Sequence, residues 1–221
     1  MNNMDDESNL IVDNKNFSLE NIEWFLNYKK FMTFYECAIL EVETKFKVLD
    51  KEYNNIFERN PIEFIKTRVK SDKSIIQKLK KKNLDISLAN IENNLHDVAG
   101  VRVVCSFIDD VYQLADTFSK QDDIKVLEVK DYIKKPKKNG YRSLHLIVEI
   151  PIFLENEKKF VKVEVQLRTI AMDSWASLEH HLNYKKNINN DSIDEELYLC
   201  SVLSEELDKK MNDLKKKITS I

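Results

Sequence analysis

Four polar side chains, Lys162, Glu164, Gln166 and Arg168, recur at every second position of one apolar run, and His145 occupies a matching place in another. Alternation with this period puts side chains on opposite faces of a β-strand. In Phe160 to Arg168, Val161, Val163, Val165 and Leu167 take the other face. In Tyr141 to Ile150, Leu144, Leu146, Val148 and Ile150 oppose Ser143 and His145. A carboxylate, an amide, a guanidinium and an imidazole on one face can hold a metal and a phosphorylated ligand. Taken alone, a solvated sheet face explains the two runs equally well. Glycine usage favours a site. The chain has only two glycines, Gly100 and Gly140, and each stands beside a strand next to this polar set.

Asp97, at the mouth of a strand, and Glu164, in the middle of another, form a candidate carboxylate pair. Mg²⁺ typically takes one or two protein carboxylates and completes its octahedron with water and substrate phosphates. The simpler reading of Asp97 is a turn or cap; that of Glu164 is an exposed strand residue paired with Lys162 or Arg168. Arg68, Lys70, Lys73, Lys78, Lys80, Lys81 and Lys82 form one basic group, and Lys134, Lys135, Lys137 and Lys138 a second. Lys80 to Lys82 read as a solvated helix face. Arg68 and Lys70, two apart, would share a strand face, and arginine forks grip phosphate and stack on nucleobases. Arg102, Arg142 and Arg168 lie on or beside the site strands. Phosphoryl transfer needs these types: a metal, cations around the developing charge and a positioned hydroxyl.

Other chemistries drop out. His96-Asp97 looks like the dipeptide of metal-dependent phosphohydrolases, but His145, His180 and His181 stand in the wrong contexts to complete that site. Cys37, Cys105 and Cys200 lack zinc-ligand spacing and are expected reduced and buried. There is no G-x-x-x-x-G-K-[ST] loop. A net charge of −3 gives no general affinity for nucleic acid. No run approaches a membrane span, and the polar start is not a signal peptide. The expected place is the cytoplasm.

Elements must position these residues. Ser18 can cap a helix, with Phe17 and Ile22 as its hydrophobic staple. Ile22, Phe25, Leu26, Met32, Tyr35, Ile39, Val42, Phe46, Leu49, Tyr53 and Ile56 then predict one long amphipathic helix. Asn60-Pro61-Ile62-Glu63 predicts the start of a second helix, with Arg68 to Lys70 as its end or a short strand. Ser74 to Lys82 reads as helix, Val101 to Phe107 as strand, and Asp110 as the cap of the next helix with Gln113 at N3. Ile124 to Tyr132 returns as a strand, and a basic loop leads into the hairpin. Thr169 to Leu182 should bury Trp175 and Leu178. Ser192 opens a last helix with Leu203, Leu207, Met211, Leu214 and Ile218 along one face. The expectation is an α/β fold with a mixed sheet of about five strands, flanked by helices.

Three of these stretches stand in order: Asp97-Val98-Ala99-Gly100-Val101-Arg102, Gly140 to His145, and Val163 to Thr169. Together they resemble the signature of the RelA/SpoT (p)ppGpp synthetase domain. Pro61 to Phe64, Arg68 to Lys70 and Trp175 to His180 extend the resemblance, which covers roughly Asn60 to Tyr184 and fits the small, synthetase-only branch. It implies a nucleotidyltransferase-like fold and transfer of pyrophosphate from ATP to the 3′-hydroxyl of GDP or GTP (with GMP also open), releasing AMP. It further implies Mg²⁺ on Asp97 and Glu164, with Glu164 also assisting deprotonation of the 3′-hydroxyl. Arg68 and Arg102 would sandwich adenine; Lys70, Ser74, Lys78 and Lys81 would contact the ATP phosphates. Tyr141 would stack on guanine, and Lys130, Lys137 and His145 would contact the acceptor. Gln166 and Glu179 stand behind them.

Two residues depart from the resemblance: Thr67 stands where small members often have glycine, and Asp173 where they often have asparagine. The implied organisation is a polar N-terminus over 1–17, a helical extension over 18–59, the synthetase domain over 60–190 and an oligomerising helix over 191–221. A homotetramer through the terminal helices, and regulation by (p)ppGpp or RNA, are part of what it implies. The competing reading is a nucleotide- or RNA-binding module on the same fold with decayed catalysis. Intact Asp97 and Glu164 argue against it.

Overall fold

The computed structural model describes residues 19–184 and 191–219; the expected polar N-terminus and the Ser18 cap lie outside them. A long helix α1 (Leu19–Phe57) leads into β1 (Ile62–Val69), α2 (Asp72–Lys81), α3 (Leu88–Asn94) and β2 (Ala99–Cys105). The chain continues through α4 (Ile108–Ser119), β3 (Lys125–Asp131), β4 (Leu144–Leu154), β5 (Glu157–Thr169), α5 (Ile170–Tyr184) and α6 (Asp191–Thr219). The strands form one mixed sheet of five, as expected, in the order β1-β2-β5-β4-β3. Its parallel pair is β2 with β5; every other neighbour is antiparallel. The strands that flank α4, β2 and β3, are not neighbours. The hairpin intervenes, because β5 offers β2 an apolar edge in register from Ala99↔Val163 to Cys105↔Thr169.

One face of the sheet is covered by α1 and α4. Phe46 and Phe118, both fully buried, stack at 4.5 Å between ring centroids and join these helices over Val101, Val163 and Val165. The stripe of α1 is buried from Phe31 to Tyr53, while Ile22, Phe25, Leu26 and Ile56 at its ends are exposed.

Several local signals were overridden by packing. The stretch after Pro61 is strand β1, not a helix. Its backbone pairs with β2 from Ile62↔Cys105 to Val69↔Ala99, and the Ile62 N–H donates to Asp50 of α1 at 3.2 Å. Glu63, in the stretch expected to open that helix, accepts from the Ser106 hydroxyl at 2.6 Å. Asp110 is not a cap. It lies fully buried inside α4 and receives Arg59 and Lys215, each at 2.7 Å, because α1 and α6 both end against it. Ser192 lies inside α6 rather than at its cap. Leu178 is exposed while Trp175 is buried, and Cys200 is an exposed free thiol on α6. The α6 stripe is turned outward: Leu203, Leu207, Met211, Leu214 and Ile218 are all exposed, and Ser201, Asp208 and Asn212 face the protein. Among the described residues, no helix is long and apolar enough to cross a membrane.

Candidate active site

On the uncovered face of the sheet, directly paired residues share a side, so register alone assembles the site. One row crosses all five strands: Lys66 pairs with Arg102, Arg102 with Gln166, Gln166 with His145, and His145 with Lys130. The adjacent row holds Arg68, Gly100, Glu164, Ile147 and Glu128. Gly100 therefore lies between Arg68 and Glu164. A Cβ there would meet Arg68 Cγ and Nε at 3.4 Å, so glycine leaves room for the arginine to lie across the strand. Arg68, Gly100, Arg102 and Gln166 line a cleft of 220 Å³. A larger hollow of 670 Å³ by Cys37, Lys125 and Phe153 lies at the far end of the hairpin and gathers none of these residues.

Asp97 stands where β1, α2 and β2 converge. Its Oδ2 receives both Lys70 and Lys78 at 2.7 Å. Burial pushes its pKa up, but the two lysines outweigh burial and hold it below the usual carboxylate range. Its Oδ1 is buried and has no hydrogen-bond partner among the described residues. Ser74 and Ser71 share a hydroxyl contact of 2.9 Å at the start of α2, with Ser71 as its cap. Lys81 is exposed at the other end of that helix. Lys70 and Lys78 thus gather at Asp97, while Ser74 is bound to Ser71 at the start of α2 and Lys81 lies exposed at its end.

Glu164 sits in a closed ring of hydrogen bonds. Its Oε1 lies 3.2 Å from His145 Nδ1, and its Oε2 accepts from Gln166 Nε2 at 2.8 Å. An ionised carboxylate only accepts, so His145 donates from Nδ1, and its Nε2 shares a hydrogen bond of 2.8 Å with the Tyr141 hydroxyl. Arg168 closes the ring, donating to Tyr141 Oη at 2.5 Å and to Gln166 Oε1 at 3.1 Å. Burial raises the Glu164 pKa and the Asp97 charge opposes ionisation too, yet bonds from His145 and Gln166 prevail and lower it. The lowered pKa keeps the carboxylate ionised, the form in which it can hold a metal or accept a proton.

Two further residues complete the network: Arg168, already part of the polar set on β5, and Asp173, noted in the sequence only as a departure from the resemblance. Arg168 is buried, and Asp173 at the start of α5 accepts from it at 3.0 Å and from Arg102 at 3.1 Å. The alternating pattern put Arg168 on the polar face. The spacing from β5 to Asp173 carried no comparable signal. Tyr132 was also missed; it meets the His145 ring edge-on at 5.3 Å, and Lys137 lies 4.7 Å from both Tyr132 and Tyr141. Lys130 borders this end, paired with Glu128 at 2.9 Å. Glu179 is set apart on α5, accepting from Asn139 at 3.3 Å. Arg142 is not on the site face; it points into α6.

Comparison with known proteins gives three likenesses. The family model described as a region found in RelA / SpoT proteins matches residues 67–189. The chain is 45% identical to GTP pyrophosphokinase YwaC of Bacillus subtilis (strain 168), over 87% of this chain and 92% of that protein. Among solved structures, small alarmone synthetase 2 from Bacillus subtilis superposes with a TM-score of 0.78 at 43% identity, covering 86% of this chain and 99% of that one. Small alarmone synthetase 1 from the same organism, bound to its product pppGpp, superposes with a TM-score of 0.79 at 33% identity, covering 87% and 98%.

Proposed function

The chain belongs to the RelA/SpoT family, and on that footing we propose that it is a GTP pyrophosphokinase making (p)ppGpp from ATP and GDP or GTP. The observation that carries the reading is the pair Asp97 and Glu164, set at neighbouring strands between two groups of cations. The 3′-oxygen of the acceptor attacks the β-phosphorus of ATP, the bond to the α,β-bridging oxygen breaks, and AMP leaves with that electron pair. The 3′-hydroxyl proton passes to Glu164 or through it to water. Arg68 and Arg102 flank the 220 Å³ cleft as a stack for adenine, and Lys70, Lys78 and Ser74 face the phosphates. Tyr141 offers its ring to guanine, fixed at its hydroxyl by His145 and Arg168.

The residues fit Mg²⁺. Asp97 Oδ1 is a buried acceptor with no partner among the described residues, and Glu164 supplies a second ionised carboxylate. No cluster of three or more metal-binding side chains occurs among the described residues, which suits an ion that takes its other ligands from water and phosphates. The ion would neutralise charge on the transferring phosphates.

ATP mixed in turn with GMP, GDP and GTP, with and without Mg²⁺, should yield AMP and a 3′-pyrophosphorylated product with at least one acceptor. If no guanine nucleotide stimulates AMP formation under any divalent metal, the reading fails and a binding module on this fold replaces it.

The two base sites are separable. Tyr141→Ala should weaken the guanine nucleotide by roughly 1–3 kcal/mol, as losing one stacking partner does, with ATP nearly unaffected. Arg102→Ala should do the reverse. Equal losses for both nucleotides in both variants would refute the assignment.

The synthetase domain over 60–190, a helical extension over 18–59 and an oligomerising helix over 191–221 belong to the same proposal, as does a cytoplasmic place. Exposed Leu203, Leu207, Met211 and Leu214 on α6, with Ile22, Phe25 and Leu26 on α1, support a homotetramer, since monomers rarely leave such stripes bare. Light scattering at micromolar concentration should give the mass of four chains of 26.1 kDa, and a dimer mass would count against the tetramer. A monomer mass would end the claim.

A further inference from the structure

The inner face of α6 is polar, and its partners are the residues on either side of Tyr141. Ser201 Oγ donates to the Gly140 carbonyl at 2.5 Å. Gly140 has φ +89°, and a Cβ there would lie 2.6 Å from Ser201 Cβ and Oγ, so only glycine permits this approach. On the other side of Tyr141, the Arg142 guanidinium donates to Asp208 Oδ2 at 2.8 Å and to Ser204 Oγ at 3.3 Å. Arg142 and Asp208 are 3% and 5% exposed at their side chains. Thr169, next to Arg168, also hydrogen-bonds Asp208. The loop itself is closed by Gly140 N–H to Lys137 O at 2.8 Å and Lys137 N–H to Tyr141 O at 3.1 Å.

A buried ion pair holds a fold no better than apolar residues of the same volume, because desolvating both charges offsets their attraction. What such a pair supplies is direction. Here it fixes the chain at Arg142 while Ser201 fixes it at Gly140, so the Tyr141 backbone cannot shift or rotate independently of α6. Resting on the pyrophosphokinase reading, we propose that Arg142 and Asp208 are positioning residues for the acceptor nucleotide: they clamp the Gly140–Arg142 turn to α6 and so set where the Tyr141 ring stands. Neither touches a nucleotide. On the ATP side, Arg68, Lys70 and Asp97 are held instead by β1, α2 and β2.

The test uses the full chain and a double replacement, Arg142→Met with Asp208→Leu, which removes the pair without stranding a charge. Its melting temperature should stay close to that of the unaltered protein. The KM for GDP or GTP should rise about tenfold, the equivalent of one lost charge-assisted hydrogen bond, while the KM for ATP stays within twofold. Ser201→Ala, which keeps the ion pair, should raise the acceptor KM roughly threefold by the loss of one neutral bond. An unchanged acceptor KM in the folded double variant, or equal rises for both nucleotides, overturns the proposal. GDP binding measured by calorimetry without ATP keeps the two readings apart. If no AMP forms even with the unaltered chain, a tenfold weaker GDP affinity in the double variant still upholds the clamp, and an equal affinity still overturns it.

Discussion

Glu164→Gln should lower kcat on the order of 10²-fold or more, with KM for either nucleotide changed only a few-fold. The side chain keeps its size and loses its charge, so the loss falls on the transition state, where negative charge builds on the transferring group. The replaced residue would also be mispaired. Both Glu164 oxygens receive donors, His145 Nδ1 and Gln166 Nε2, and an amide turns one of those contacts into donor against donor. The sign of the pH effect follows from the same bonds. The native pKa is lowered by His145 and Gln166 acting against burial, so ionised Glu164 stabilises the fold above the ordinary glutamate range. That contribution fades as pH falls through the lowered value. The acid limb of wild-type activity should therefore set in below the range of a free glutamate. Single-turnover kinetics over pH decide it, and a variant with native turnover would remove Glu164 from the reaction.

Asp97→Asn should be comparably severe, on the order of 10²-fold in kcat, and should shift the Mg²⁺ requirement upward. Asp97 has two tasks that the substitution separates. Oδ2 balances Lys70 and Lys78, while Oδ1 is buried with no hydrogen-bond partner among the described residues. Neutralising the carboxylate frees both lysines for triphosphate, so ATP binding without metal should hold or tighten even as turnover falls. A Mg²⁺ titration of AMP formation separates this from general damage. An unaltered Mg²⁺ midpoint would exclude Asp97 as a ligand.

The site was legible because its chemistry follows a period of two. Glu164, Gln166 and His145 alternate with valine and leucine, and strand geometry carries such a pattern directly into a face. What sequence did not contain was partnership. The helix signal at Pro61-Ile62-Glu63 is genuine local chemistry, but seven residues of pairing with β2 outweigh one favourable first turn. Alternation of strands with a helix pointed to a parallel pair but not to its members, which are β2 and β5 rather than the two strands that flank α4. Arg142 was grouped with the site cations because its number, not its direction, lay beside Tyr141. The apolar period of α6 was legible, and so was the surplus of apolar surface the sheet could not cover; its inward contacts, Ser201, Asp208 and Asn212, were not, because their partners lie far back in the chain.

The parallel pairing of β2 with β5 has a further consequence for how competence is acquired. It joins Gly100 to Glu164 across everything between them, α4, β3 and β4 included, and contacts of such sequence separation form late because their loop must close first. A chain emerging N-terminus first holds Arg68, Lys70, Asp97 and Arg102 before Glu164 has been synthesised. Such a nascent chain has cations for a triphosphate and no carboxylate opposite Asp97. On refolding, activity should return with hydrogen-exchange protection of the β2 and β5 amides, after the local β3–β4 pairing has formed. Catalytic competence then arrives in one step, with the strand that closes the sheet.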